Sequence, residues 1–301
     1  MSVFSTALVG DPVARILAGL ADHAPAPRGP FAGLAVDTTQ TTVPTRHGTV
    51  GCTVYRAPGG TAAGQPVYVN VHGGGFVIRY PQQDDPWCRY LAIHGGVTVV
   101  NVDYATAPGH RFPVPAEQVY DVVKWAADPG RDWDGSRLCV GGQSAGGNLT
   151  AAAARQSLQE GGPPIALQVL HYPVLDLVTP PRDKPLTGSS AVPRWMSEVF
   201  DGCYIRDPRM REHPLASPAW GTNADGIEGI APALVITAEH DYLRAEGQAY
   251  AGKLAAAGAL AEYRDVPGVH HGYDIRGESA DATRQSYELM AGHVSRAVAA
   301  A

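Results

Sequence analysis

Five short apolar runs, each associated with a stretch of helical pattern, restrict the possible folds of this chain more than any other feature. Val67–Val71, Val97–Val102, Leu138–Val140, Ala166–Leu170 and Ala233–Thr237 are short and mostly aliphatic. Strands buried on both faces read this way, because neither face meets water. Helical patterns lie between or after them, over Asp84–Ile93, Ala116–Ala127, Asn148–Gln159, Leu243–Ala257 and Asp281–Ala299. Strands alternating with helices predict an α/β protein with a parallel, doubly wound sheet and right-handed crossovers. Ahead of them, Thr41–Thr45 and Val50–Tyr55 alternate polar and apolar residues around His47-Gly48, which predicts a hairpin. The N-terminal segment holds one helical pattern, about Pro12 to Asp22, then a proline- and glycine-rich joint, Ala24 to Gly33.

The alternation breaks between about Asp176 and Thr222, a segment with several prolines, Trp195, Trp220 and one helical pattern near Trp195–Tyr204. In an α/β sheet, ligands bind beyond the carboxyl ends of the strands, so this insertion is expected to lie over them. Its length favours a lid over a plain connection. Trp195, Met196, Phe200 and Tyr204 form a stripe that either lines a pocket or packs internally.

The five residues Gly142-Gln143-Ser144-Ala145-Gly146 sit where an apolar strand gives way to an alanine-rich helix. A serine at such a junction is forced through a tight turn that exposes its hydroxyl at the top of the sheet. Flanking glycines are required because a Cβ would collide with the neighbouring strand and helix. In a chain of 35 glycines the pattern alone is weak, and its company gives it weight. His72-Gly73-Gly74-Gly75-Phe76 directly follows the Val67–Val71 strand, and its N–H groups, with that of Ala145, are placed to hold a carbonyl oxygen as it becomes negative. Asp241 follows the Ala233–Thr237 strand, and His271 follows a further candidate strand, Ala261–Val266. The order Ser144, Asp241, His271 is the one associated with this sheet architecture. The imidazole would take and return the serine proton while the carboxylate fixes its tautomer.

These residues carry a family resemblance. His72–Phe76, Gly142–Gly146, Asp241-Tyr-Leu-Arg-Ala-Glu and His271-Gly-Tyr together resemble the hormone-sensitive-lipase-like esterases of the α/β-hydrolase superfamily. Asp103-Tyr104, Ala107-Pro108, Phe112-Pro113 and Trp133-Asp134 add to the match. The similarity runs from about Val43 to the C-terminus and weakens across the insertion. It implies an α/β-hydrolase fold with a mostly parallel eight-stranded sheet, helices on both faces and a helical cap. The cap would comprise residues 1–40 and 177–222, and the catalytic core 41–176 and 223–301. It further implies hydrolysis of short- to medium-chain acyl esters without a cofactor or metal, often by a homodimer. Carried over by motif, Ser144 is the nucleophile, Asp241 the acid and His271 the base. His271 is preferred to His270 because it directly precedes Gly and an aromatic residue. Gly74, Gly75 and Ala145 would supply the oxyanion amides, with Gly73 as a further contributor and His72 fixing the glycine turn.

The chain departs from the family at Gln143, where most relatives have Asp or Thr, and at Val77-Ile78-Arg79-Tyr80, where small residues are common. Gly109-His110 replaces an acidic turn. Arg79 is either ion-paired or faces an acidic substrate group. These changes point to a specialised substrate. A deacetylase or amidase would use the same three residues, and a non-catalytic ligand-binding homologue would be expected to lose one of them.

Composition narrows the partners. Apolar residues make up 45% and charged residues 17%, an ordinary globular balance. The net charge of −6 is spread without a basic run, which argues against nucleic acid and anionic membranes. The four cysteines, Cys52, Cys88, Cys139 and Cys203, are far apart and suggest neither a disulfide framework nor a zinc site. Met-Ser-Val-Phe-Ser-Thr does not resemble a signal peptide, and no apolar stretch approaches the ~20 residues that span a bilayer. A soluble, cytoplasmic protein acting on a small acyl ester is the expectation.

Overall fold

In the computed structural model, which describes residues 3–21, 30–59 and 63–301, helix α1 (Ala7–Ala21) precedes a hairpin of β1 (Asp37–Thr45) and β2 (Gly48–Arg56). The chain continues through β3 (Pro66–Val71), α2 (Asp85–His94), β4 (Thr98–Asp103), α3 (Val114–Ala126), β5 (Asp134–Gln143), α4 (Ala145–Glu160) and β6 (Leu167–His171). After α5 (Arg194–Tyr204) come β7 (Ala233–His240), α6 (Arg244–Ala256), β8 (Leu260–His270) and α7 (Ala280–Ala300). All eight strands form one sheet in the order β1-β2-β4-β3-β5-β6-β7-β8. The pairs β1/β2 and β2/β4 are antiparallel, and every other neighbouring pair is parallel.

The strand period of two divides the apolar residues between two cores. Val67, Val69, Val71, Leu138 and Val140 face a cluster that includes residues of α3, α4 and α6. Tyr68, Cys139 and Val169 face the opposite cluster, with Trp87 of α2 and Tyr287 and Met290 of α7. Helices therefore cover both faces, as mostly apolar strands require. A third, small cluster joins α1 to α5: Ala14, Val77, Ala107, Val199, Phe200 and Cys203 are its buried members, and Val13 and Leu17 pack on it.

Several boundaries differ from the sequence expectations, those of α1 and β5 among them. Helix α1 begins at Ala7 and carries Pro12 inside it, because packing of its apolar face on α5 outweighs one missing hydrogen bond. Asp22 and the first part of the expected Ala24–Gly33 joint lie outside the described residues. Strand β5 runs on through Gly141-Gly142-Gln143, which pair with β6 despite their lack of apolar side chains.

Close packing at the end of β5 leaves no room for side chains. A Cβ on Gly142 would lie 2.4 Å from the Val71 carbonyl oxygen, and one on Gly146 only 1.9 Å from it. Gly252, exposed on α6, has nothing within 4 Å of the corresponding position. Gly146→Ala is expected to destabilise the fold by about 1–3 kcal/mol or more through overpacking. Gly252→Ala is expected to stabilise it by about 0.5–1 kcal/mol through helix entropy. Urea unfolding of the two variants reads both signs, and a harmless Gly146→Ala would contradict the packing described.

Candidate active site

Ser144 is the single residue between the end of β5 and the start of α4, and its φ of 54° is a left-handed conformation unusual for a residue with a side chain. Two backbone bonds fix the turn: Ser144 donates its N–H to the His171 carbonyl at 2.9 Å, and its own carbonyl accepts from Val174 N–H at 3.1 Å. The glycine run after β3 packs directly beside it. A Cβ on Gly73 would stand 3.3 Å from the Ser144 Cβ. Gly74 and Gly75 take φ values of 112° and 59°, which suit glycine. A side chain at Gly75 would also enter the ring of Phe200.

Sheet register delivers the other two groups. His240 at the end of β7 is the register partner of His270 at the end of β8. One residue further on each chain, Asp241 and His271 therefore leave adjacent strands side by side. His271 Nδ1 is 2.6 Å from Asp241 Oδ2, and His271 Nε2 is 2.9 Å from Ser144 Oγ. The second oxygen of the buried Asp241 carboxylate accepts the Leu243 N–H at 3.0 Å, which leaves the first for the imidazole. The neighbouring His270 points elsewhere, to Glu278 at 2.6 Å and Ser189 at 3.1 Å. A hydroxyl, an imidazole and a carboxylate thus form one continuous hydrogen-bonded chain.

His72 is buried and takes no part in that chain. Its Nδ1 bonds the Gly73 carbonyl at 2.6 Å, and its ring stacks on Tyr104 with centroids 4.3 Å apart. Burial pushes its pKa down to about 4, so it is a neutral brace for the glycine turn. Arg79 is ion-paired with Asp103 at 2.6 Å. Trp195 and Tyr204 do not line the cavity beside Ser144, whereas Met196 and Phe200 do. That cavity holds about 210 Å³, with Gly73, Gly74, Gly75, Ser144 and His271 in its wall.

Sequence reasoning missed the polar layer beneath Ser144. Gln143 donates its amide to Asp84 and accepts from the Tyr172 hydroxyl, which also lies 2.5 Å from Asp274 Oδ1. The Tyr172 ring packs against His271 with centroids 4.8 Å apart. These residues come from separate stretches of the chain, and no local spacing announces them. Among the described residues, no group of three or more His, Cys, Asp or Glu side chains is arranged to hold a metal ion. Nor is any helix among them long and apolar enough to cross a membrane.

Sheet order, the strained serine turn and the hydroxyl–imidazole–carboxylate chain together define the class of α/β-hydrolase-fold proteins. A family model described as alpha/beta hydrolase fold matches residues 68–275. The carboxylic ester hydrolase LipN of Mycobacterium tuberculosis is 33% identical over 274 residues, covering 87% of this chain and 72% of LipN. The curated relatives it matches are spanned over about two thirds to three quarters of their length. Among solved structures, a thermostable esterase from Pseudomonas putida superimposes with a TM-score of 0.83 at 28% identity, over 96% of this chain and 90% of that one. EstE1, a carboxylesterase from a metagenomic library, gives a TM-score of 0.81 at 31% identity, over 96% and 95%. The chain belongs to the α/β-hydrolase family, in its hormone-sensitive-lipase-like esterase branch, and is an enzyme of the carboxylesterase type.

His171 ties this site to stability. Its carbonyl holds the Ser144 turn, its Nε2 bonds Tyr273 at 2.8 Å, and burial pushes its pKa down to about 4. As pH falls below the ~6.5 of an unfolded imidazole, the unfolded chain takes up a proton that the folded chain refuses until about pH 4. Stability is therefore full above that range and is lost through it, by about 2 kcal/mol at pH 5 from this group. His171→Gln is expected to lose correspondingly less on acidification from pH 7 to 5 in urea unfolding; an unchanged slope would contradict the assignment.

Proposed function

We propose that this protein hydrolyses short- to medium-chain carboxylic esters through an acyl-enzyme on Ser144. The observation that carries the reading is the hydrogen-bonded chain from Ser144 Oγ through His271 to Asp241. His271 Nε2 takes the hydroxyl proton as Oγ attacks the ester carbonyl carbon. The carbonyl oxygen becomes an oxyanion, held by the N–H groups of Gly74, Gly75 and Ala145, with Gly73 as a further contributor. Collapse of the tetrahedral species expels the alcohol, which leaves with the proton carried by His271. Water then attacks the acyl-serine by the same route and releases the acid. Asp241 holds the imidazole tautomer and stabilises its charged form throughout.

Residues 1–40 and 177–222 act in this reading as a cap over the core, residues 41–176 and 223–301. Its support is that Pro181, Val192, Met196 and Phe200 wall the cavity and that α1 packs on α5. A homodimer joined along β8, the last strand of the sheet, and a cytoplasmic location complete the proposal. Light scattering of the purified chain tests the former, and a monomer at all concentrations would remove it.

Ser144→Ala is expected to lower nitrophenyl butyrate turnover by at least about 10³-fold with an unchanged melting temperature. A fluorophosphonate probe should label Ser144 in the wild type and nothing in the variant. Retained turnover would take Ser144 out of the mechanism. Cleavage of matched acetanilides faster than esters would assign an amidase instead.

A further inference from the structure

The cavity beside Ser144 has an apolar wall that includes Phe76, Ile78, Met196 and Leu243, yet one side of it carries charge. Asp201 lines that side and is only 6% exposed. Ser197 stands four residues earlier on α5 and lines the same cavity, so helical spacing puts both side chains on one face. Ser197 is satisfied by the Tyr242 hydroxyl at 2.5 Å. Asp201 is different: among the described residues, its carboxylate accepts no hydrogen bond and forms no direct ion pair.

The nearby Lys184 does not resolve this. Its buried ammonium is held by Glu246 at 2.5 Å and by the Asp176 carbonyl at 2.7 Å. Burial alone would discharge Lys184, but Glu246 and the surrounding carboxylates more than offset it and keep the ammonium charged. One buried cation thus faces two buried carboxylates, Glu246 and Asp201. Burial pushes the Asp201 pKa up to about 6, against the attraction of Lys184 and Arg211 and with the repulsion of Asp176 and Glu198. A carboxylate facing a largely apolar cavity without a protein donor is costly, and a ligand that brings the donor lowers that cost.

We propose that Asp201 is a specificity-determining residue, selecting esters in which the group lodged against α5 ends in a hydrogen-bond donor, a hydroxyl or a primary ammonium. This inference rests on the ester-hydrolase reading of Ser144 and names the substrate class of that site. The apolar wall holds the alkyl stem, and Asp201 receives its polar end. A polar donor matched to an otherwise unpaired buried acceptor discriminates strongly, because an alkyl end leaves that acceptor bare.

Two matched substrate pairs test it on the intact protein. Nitrophenyl hexanoate against nitrophenyl ω-hydroxyhexanoate probes the acyl side; hexyl acetate against ω-aminohexyl acetate probes the alcohol side. In at least one pair the wild type is expected to favour the polar member by about tenfold or more in kcat/KM. Asp201→Leu should invert that ratio, and Asp201→Asn should keep a hydroxyl preference while losing an ammonium preference. Should a variant fail to fold, the wild-type ratios decide alone. Preference for the alkyl member in both pairs, or an unchanged ratio in folded Asp201→Leu, overturns the proposal. Absence of all ester turnover, nitrophenyl butyrate included, instead removes the Ser144 reading and this proposal with it.

Discussion

A single carbonyl oxygen, that of Val71 at the end of β3, sets the geometry from which the site follows. Any Cβ at Gly142 or Gly146 would fall far inside van der Waals contact with it, so the β5–α4 turn seats itself against the β3 backbone without side chains between them. That approach holds Ser144 at a φ of 54° and lifts its hydroxyl above the sheet. It also brings the glycine run, which begins two residues after Val71, alongside Ser144. Backbone strain of this kind persists only where surrounding structure over-determines it. Here the surroundings are two parallel strands, one helix and three main-chain hydrogen bonds to Ser144. Electrostatics then acts on a frame that packing has already fixed.

Asp241 and His271 depend on a second main-chain constraint. Asp241 and His271 are thirty residues apart along the chain yet adjacent in space, because β7 and β8, through a register shift between Ala238 and His240, bring His240 opposite His270. A register shift of one residue would turn each side chain to the opposite face. In such an arrangement His270, which bonds Glu278 and Ser189, would exchange places with His271. The sheet therefore chooses between two neighbouring histidines.

How far the sequence led follows from the range of each interaction. Strand and helix identities were readable because they rest on local periodicity, and Ser144, Asp241 and His271 because each directly follows a strand. Motif resemblance separated His271 from His270. The start of α1 was misplaced because local proline chemistry is overridden by packing on α5, a partner nearly two hundred residues away. Of the stripe Trp195, Met196, Phe200 and Tyr204, only the middle two line the cavity, while Tyr204 stacks on Phe76 at 3.9 Å and Trp195 meets Phe4. A helix stripe says that a face is used but not which neighbour uses it. Asp201 and Lys184 gave no signal, since charged residues on a loop and a helix are ordinarily solvated.

Gln143 shows how a departure from the family can leave the chemistry above it intact. The position lies on β5 with its side chain in the buried polar layer, and it must connect Asp84 on one side to Tyr172 on the other. Burial pushes the Asp84 pKa up to about 7, opposed by donors from Asn70 and Gln143 that favour its charged form. An ionised aspartate at position 143 could only accept, and would face Asp84 as a second carboxylate. A threonine has the donor but is too short to span both partners. Glutamine supplies a donor for Asp84 and an acceptor for Tyr172 in one side chain. The Tyr172 hydroxyl has one proton for two acceptors, Gln143 and Asp274, so the layer carries a choice of donor direction and not a fixed ladder. Either direction holds the Tyr172 ring against His271. The amide therefore supports His271 from below, and the Ser144 turn, fixed by glycine packing and main-chain bonds, does not depend on the side chain that precedes it.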